Sequence, residues 1–199
     1  DRVGRTVPVY VYTNGDSAEL FLNGKSLGLR SKKTKVEKSE VDKNYYEVID
    51  RYRLRWEDVI YEPGTLTAVA YKNGKKIGET SMSTAGDPAQ IKLTPDRTTI
   101  KADGYDLSYI LVDIVDKDGT LCPLADNIIN FMIEGPAEIS AVGNGNPLSL
   151  EPFQANSRKL FYGKAMLILR SIEKQSGEVS ITAHAEGLKM GQTRIHIEP

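Results

Sequence analysis

Carboxylates are the most abundant potentially reactive side chains, with 27 Asp and Glu among 199 residues. Two carboxyl groups about 5 Å apart, or roughly 6.5–9.5 Å apart, can carry out acid–base hydrolysis. Most of these acids, however, alternate with apolar residues along strand-like runs or stand in turn sequences, as do Asp16, Asp87, Asp103 and Asp118. Aspartate suits turns because its side chain bonds to the nearby main chain. We therefore expect turn formers and solvated acids, and no catalytic residue in this chain.

The two histidines and the single cysteine offer metal binding or nucleophilic attack. His184 and His196 alternate with apolar residues in the last two strand-like runs, which places both on polar strand faces. They could meet across a hairpin, but two imidazoles without a carboxylate or thiolate fall short of a zinc site. Cys122 precedes Pro123 without a histidine close in sequence. We expect no metal site, no cofactor and no nucleophilic triad.

Three features remain as candidate sites for a ligand or an interface. The first is a turn-rich stretch with Asn144, Asn146 and Glu151. Its glycines allow positive φ, its asparagines can bond to the main chain, and Glu151 can accept from exposed amides or from Arg158. This structural interpretation is favoured. The alternative is a ligand contact, because loops at the end of a sandwich commonly carry function.

The other two features are a pair of tyrosines and, on a different run, three arginines. Tyr10 and Tyr12 alternate with valines, so they form an exposed platform suited to a sugar or the buried face of a covered sheet. Arg51, Arg53 and Arg55 share one face of another run and repel one another unless something compensates. Pairing with local acids is the favoured account, and an interface with another domain is the alternative.

Charge and hydropathy exclude two classes of partner. The chain has 26 Lys and Arg against 27 Asp and Glu, for a net charge of −1. One basic stretch, Arg30 to Lys38, lacks the interleaved aromatic residues on which bases stack, and we interpret it as a solvated hairpin loop. No apolar stretch approaches the roughly 20 residues that span a bilayer. We expect neither nucleic acid nor membrane as a partner.

The elements that must position these residues are short β-type runs separated by turns. Asn23-Gly24 and Asn73-Gly74 each stand between two such runs, which is a strong signal of a type I′ hairpin. Tyr45–Trp56 also reads as a strand, with Trp56 on an apolar face. The second half predicts eight strands, at Ile91–Leu93, Thr98–Lys101, Tyr109–Asp116, Ile128–Ile133, Ile139–Val142, Leu160–Leu169, Val179–Ala185 and Thr193–Ile197.

Thr84-Ala85-Gly86-Asp87-Pro88 has the composition of a linker, because glycine and Asp-Pro interrupt strand pairing. We therefore predict an all-β protein of two consecutive immunoglobulin-like β-sandwich domains, residues 1–85 and 86–199. The chain opens on Asp1 without a methionine or an apolar leader, which we interpret as a segment of a longer protein.

Several motifs resemble one known family. Val9 to Gly28 and Tyr61 to Tyr71 resemble the module that follows the catalytic barrel in bacterial family 2 glycoside hydrolases of the β-galactosidase type. Ala102 to Ser108, Val142 to Pro147 and Phe153 to Ala165 are similar to the next module of those enzymes. The resemblance covers nearly the whole chain, with the motifs in the same order.

This resemblance implies a non-catalytic accessory region whose partner is the catalytic barrel of the same chain. Both catalytic glutamates of the family lie on that barrel, so neither is carried onto this sequence. The resemblance also implies a periplasmic or extracellular location in a bacterium. A carbohydrate-binding module that contacts galactoside-containing glycans is the alternative, and an autonomous enzyme is the least favoured reading.

Overall fold

The computed structural model describes residues 2–32 and 52–199. The chain divides into two compact units, Asp1–Thr84 and Ala85–Pro199, here called unit 1 and unit 2. The regular elements in the described residues are fifteen β-strands. Within those same ranges, no helix has the length and apolarity to cross a membrane. The predicted all-β class is therefore confirmed, whereas independent folding of the two parts stays a prediction.

Unit 1 contains a four-stranded antiparallel sheet, in the order β3-β2-β5-β6, and a two-stranded sheet of β1 and β4. Its strands are β1 (Thr6–Tyr12), β2 (Ser17–Leu22), β3 (Lys25–Ser31), β4 (Arg53–Ile60), β5 (Thr65–Lys72) and β6 (Lys75–Ser83). The core lies around the buried Leu20, Leu54 and Trp56, against which the three β1 valines pack. The predicted strand Tyr45–Trp56 is observed from Arg53 onward, and residues 45–51 lie outside the described residues.

Two hairpin turns fix the register of the larger sheet of unit 1. Asn23 and Gly24 have φ of 51° and 79°, and Asn73 and Gly74 have φ of 50° and 73°. Two successive positive φ angles are what a type I′ turn requires, and asparagine and glycine tolerate them best. Both predicted hairpins are therefore confirmed, between β2 and β3 and between β5 and β6.

Unit 2 is a sandwich of a four-stranded and a five-stranded sheet, in the orders β11-β13-β9-β7 and β12-β10-β14-β15-β8. All neighbouring strands are antiparallel except β15 and β8, which are parallel. The strands are β7 (Gln90–Pro95), β8 (Thr99–Lys101), β9 (Leu107–Val115), β10 (Ile128–Glu134), β11 (Ala137–Gly143), β12 (Ser157–Lys159), β13 (Lys164–Ser171), β14 (Gly177–His184) and β15 (Gly191–Glu198). Alternate residues of both sheets, such as Ile110, Leu167 and Ile181, meet in one apolar core.

The predicted single strand Leu160–Leu169 is wrong. β12 ends at Lys159, β13 begins at Lys164, and a turn with positive φ at Tyr162 (50°) and Gly163 (75°) separates them. Glycine is required at this turn, because a Cβ on Gly163 would lie 2.3 Å from the Cys122 carbonyl oxygen. Aromatic residues inside the turn extended the apolar run in sequence and concealed the break.

Candidate functional site

The structure brings the candidate tyrosines and two of the candidate arginines, which the sequence offered as separate features, onto one face of the two-stranded sheet of unit 1. β1 and β4 are antiparallel, with Tyr10 opposite Arg55 and Tyr12 opposite Arg53. Residues directly opposite one another point to the same side of a sheet, so all four share a face. Tyr10 is 42% exposed and Tyr12 is 68% exposed, because the valines between them pack into the core. We call these four residues the Tyr–Arg face.

Contacts within this face show what compensates the arginines. The Arg53 guanidinium carbon lies 4.5 Å from the centre of the Tyr10 ring, and Arg53 Nη1 donates to the Tyr12 hydroxyl at 3.5 Å. Arg55 Nη1 lies 3.4 Å from Glu57 Oε1. A cation over an exposed aromatic ring contributes about 0.5–1 kcal/mol. The tyrosines therefore compensate the charge of Arg53 and an acid compensates that of Arg55, whereas the sequence assigned this compensation to acids alone. Arg51 lies outside the described residues.

Trp56 belongs to the core and not to the exposed platform. It is buried on the opposite face of β4, its Nε1 donates to the Leu27 carbonyl at 3.2 Å, and Arg30 lies over its ring. A depression of about 280 Å³ opens beside it, lined in part by Lys25 and Glu62. Trp56 is among the residues that line this depression, but only 1% of its surface is exposed. The sequence-based assignment of Trp56 to the core is confirmed.

In unit 2, the loop of residues 144–156 surrounds a buried cation. Arg158 is 1% exposed. Its Nη2 donates to the Val142 carbonyl at 2.6 Å and to the Pro152 carbonyl at 2.7 Å, and its Nη1 donates to the Glu151 carbonyl at 3.2 Å. The guanidinium also lies 5.4 Å from the Phe153 ring centre. The forked geometry of arginine allows one side chain to satisfy several carbonyl groups at once.

The two asparagines and Glu151 hold the same loop from its other side. Asn144 Oδ1 accepts from the Asn146 amide at 2.9 Å, and Asn144 Nδ2 donates to the Lys159 carbonyl at 2.9 Å. Asn146 Oδ1 accepts from the Leu148 amide at 3.0 Å. Glu151 Oε1 accepts from the Lys159 amide at 2.9 Å. These are the local main-chain contacts described by the structural interpretation of this cluster.

Every carboxyl group whose pKa is clearly shifted has a lowered pKa, so its ionised form is stabilised. A hydrogen bond from the Lys159 amide, with smaller contributions from Ser149 and Arg158, holds the pKa of Glu151 below its ordinary value. Main-chain amides, that of Gly86 first, lower the pKa of the buried Asp116. The amide of Lys101 likewise lowers the pKa of Asp106. Such carboxylates make poor proton donors near neutral pH, because a general acid needs a raised pKa.

The two histidines do not meet across the last hairpin. β14 and β15 pair with Glu178 opposite His196 and Ala183 opposite Gly191. This register places His184 at the closed end of the hairpin and His196 near its open end. His196 Nδ1 instead lies 2.8 Å from Glu178 Oε1. Among the described residues, no group of three or more metal-binding side chains is present.

The sequence-predicted residues therefore fall into two groups. Tyr10, Tyr12, Arg53 and Arg55 share one face in unit 1, and Asn144, Asn146 and Glu151 share one loop in unit 2. Sequence reasoning missed the burial of Arg158 and the apolar side chains that this loop exposes, notably Leu148 and Leu150. The presence of Leu148 and Leu150 within a turn-rich stretch was the sequence signal that could have indicated the exposed apolar side chains.

Comparison with known proteins gives two family matches. Residues 91–194 match the model described as glycoside hydrolase family 2 C-terminal domain 5. Residues 4–78 match a domain of unknown function, DUF4982. The two matched ranges lie in unit 2 and unit 1, respectively.

Curated relatives share the whole chain but are much longer. A β-galactosidase of Bacteroides ovatus, BoGH2A, is 38% identical over 98% of this chain, which spans 21% of that protein. A putative β-glucuronidase of Formosa agariphila is 33% identical over 94% of the chain, which spans 17% of that protein. The chain therefore spans about a fifth of the length of these relatives.

Solved structures share the fold. A glycosyl hydrolase family 2 member from Bacteroides cellulosilyticus superposes with a TM-score of 0.86 at 39% identity, over all of this chain and 24% of that one. A β-glycosidase from Bacteroides vulgatus gives a TM-score of 0.85 at 31% identity, over 98% of this chain and 23% of that one.

Proposed function

The chain belongs to glycoside hydrolase family 2, and from that premise we propose that it is the non-catalytic C-terminal accessory region of a longer enzyme of the β-galactosidase type. The observation that carries this proposal is coverage. The chain aligns over 98% of its own length with a β-galactosidase, yet spans 21% of that protein. Its role is to pack on the catalytic barrel of the same polypeptide and shape the rim of that barrel during carbohydrate degradation.

The electrostatics of the described carboxylates support a non-catalytic role. Retaining glycosidases combine a protonated acid of raised pKa with a nearby ionised carboxylate. In residues 2–32 and 52–199, every carboxyl group with a clearly shifted pKa has a lowered pKa, as Asp116 and Glu151 do. Each of these two groups is engaged by main-chain amides, which fits a role in holding loops.

The test compares the longer polypeptide with and without this segment. Purified residues 1–199 should not hydrolyse an aryl β-galactoside or an aryl β-glucuronide. Deleting the segment should lower the melting temperature of the catalytic part or raise its KM, because a packed surface becomes exposed. Turnover by the isolated segment that survives repeated purification contradicts the proposal, as does a deletion that changes neither stability nor kinetics.

A second function, glycan binding, is favoured by the Tyr–Arg face. Exposed tyrosine rings present apolar faces and a hydroxyl, and the Arg53 contacts hold both rings in place. We propose galactoside-containing glycans as the ligand class. Isothermal titration with galacto-oligosaccharides tests this role, with Tyr12→Ala against Tyr105→Ala, an exposed tyrosine of unit 2, as the matched control. Equal heats for both variants, or none for the native chain, contradict it.

We also propose a location in the periplasm or outside the cell. The support is the family resemblance and the similarity to enzymes of Bacteroides and Formosa. Fractionation of the producing bacterium, followed by immunoblotting, tests this location. Recovery of the protein with the cytoplasmic fraction contradicts it.

A further inference from the structure

One end of the unit 2 sandwich gathers exposed apolar side chains. β9 and β11 end there and β10 and β13 begin there, as the antiparallel registers require. Three connections, residues 116–127, 144–156 and 160–163, therefore lie at the same end. They carry five large exposed residues, Leu124, Leu148, Leu150, Phe153 and Tyr162, which we call the apolar end.

Two main-chain hydrogen bonds and one side-chain hydrogen bond tie the three connections together. The Leu160 amide donates to the Asn127 carbonyl, and the Gly163 amide donates to the Ala125 carbonyl, each at 3.0 Å. Asn144 Nδ2 links the long connection to the Lys159 carbonyl. The five side chains of the apolar end therefore stand on connections that are tied to one another.

The exposure of these residues is high for large apolar side chains. Leu124 is 91% exposed, Leu148 is 86% exposed and Leu150 is 99% exposed. Five such side chains present on the order of 500 Å² of apolar surface, a size that in monomeric proteins commonly marks an interaction site. Single exposed leucines need no explanation, but a group of this kind does.

The apolar end is held rigidly from beneath. Arg158 ties the carbonyls of Val142, Glu151 and Pro152 together, so Leu148 and Leu150 stand on a fixed loop. A preorganised surface loses little conformational entropy when a partner binds. The contacts of the buried Arg158 therefore favour a preorganised interaction surface over a flexible loop.

Several charges around the apolar end are paired within unit 2, and Lys117 and Asp118, which lie on the same connection, have opposite signs. Lys159 Nζ lies 2.8 Å from Asp126, and Lys164 Nζ lies 2.7 Å from Asp113. Glu151 faces Arg158 at 3.5 Å. This rim offers little net charge to a nucleic acid or an acidic polysaccharide, so the complementary surface is apolar.

We propose that the apolar end docks on the catalytic part of the same polypeptide. A patch of this size is below the roughly 800 Å² per partner of a stable free complex, so it suits a partner that is already tethered. A covalent tether supplies an effective concentration in the millimolar range. About four-fifths of each family chain compared above lies outside this segment, and that portion supplies the partner. This inference rests on the proposed function and names the surface it uses.

The test places a photo-cross-linking amino acid at Leu150 of the full-length polypeptide. Tyr105 is the matched control, because it is 84% exposed on the loop between β8 and β9, at the other end of unit 2. Irradiation and peptide mapping should join position 150, and not position 105, to the catalytic part. Cross-links from position 150 to a second copy, to unit 1 alone or to nothing overturn this proposal.

A stability measurement separates the two proposals. The double variant Leu148→Ser/Leu150→Ser should leave the melting temperature of residues 1–199 within about 2 °C, since both side chains are already exposed. In the full-length polypeptide it should lower that temperature by several degrees. Equally small changes of melting temperature in residues 1–199 and in the full-length polypeptide contradict the proposed docking surface. The proposed function fails separately if deletion of the whole segment has no effect.

Discussion

Replacing Arg158 with alanine should destabilise unit 2 by about 3–5 kcal/mol, because it leaves the main-chain carbonyls that the guanidinium binds without their donor. The magnitude follows from the contacts. The variant removes three charge-assisted bonds to main-chain carbonyls, each worth roughly 1.5–3 kcal/mol, and water can replace only part of them. The bond to the Val142 carbonyl, on the edge strand β11, is buried, so this carbonyl is left without a partner.

The chain contains its own internal reference for this experiment. Trp56 is the sole tryptophan and lies in unit 1, so its fluorescence follows unit 1 while circular dichroism follows both units. In urea, Arg158→Ala should shift the part of the dichroism transition that comes from unit 2 and leave the Trp56 transition unchanged. For a domain of this size, the expected loss corresponds to a fall in melting temperature of roughly 10–20 °C.

Two further variants decide whether the reasoning is right. Arg158→Lys should retain little of the lost stability, because an ammonium cannot reproduce the fork that reaches three carbonyls. Arg170→Ala removes an exposed bridge to Glu138 and should cost less than about 1 kcal/mol. A loss below about 1 kcal/mol for Arg158→Ala, or an equal loss for Arg170→Ala, refutes the structural role of the buried cation.

Two other perturbations test the turns of unit 2. Gly163→Ala should destabilise unit 2 more than Gly119→Ala does. Both glycines have positive φ, but only at Gly163 would a Cβ press against the Cys122 carbonyl. Equal chemical denaturation midpoints for the two variants contradict this prediction. Main-chain amides, that of Gly86 first, depress the folded-state pKa of Asp116. The ionised Asp116 therefore stabilises the folded state above the unfolded-state pKa, and this stabilisation is lost as pH falls through the folded-state pKa. Asp116→Asn should therefore flatten the fall in stability between about pH 5 and pH 2, and an unchanged acid slope in urea titrations argues against this role.

Local patterns predicted much of the fold because they report local geometry. Asn-Gly pairs specify positive φ at two successive residues, so the hairpins at Asn23 and Asn73 were readable without any partner. The valine alternation of β1 likewise placed Tyr10 and Tyr12 on the face away from the core. The family motifs then supplied the order of the two sandwiches.

What sequence reasoning missed depends on which strands pair. Whether His184 and His196 meet is decided by the register of β14 and β15, which alternation does not reveal. Arg158 follows Ser157 in a polar stretch and gives no local sign of burial, because the carbonyls it binds come from β11 and the loop after it. The turn at Gly163 was hidden by neighbouring aromatic residues.

The position of β15 has a consequence for synthesis on the ribosome. This strand follows all others along the chain, yet it lies between β14 and β8 inside the five-stranded sheet. Unit 2 therefore cannot complete that sheet until Gly191–Glu198 has left the ribosome, whereas the strands of unit 1 have emerged long before. A message truncated just before Gly191 would leave β14 and β8 without the strand that pairs with both, and unpaired strand edges favour aggregation.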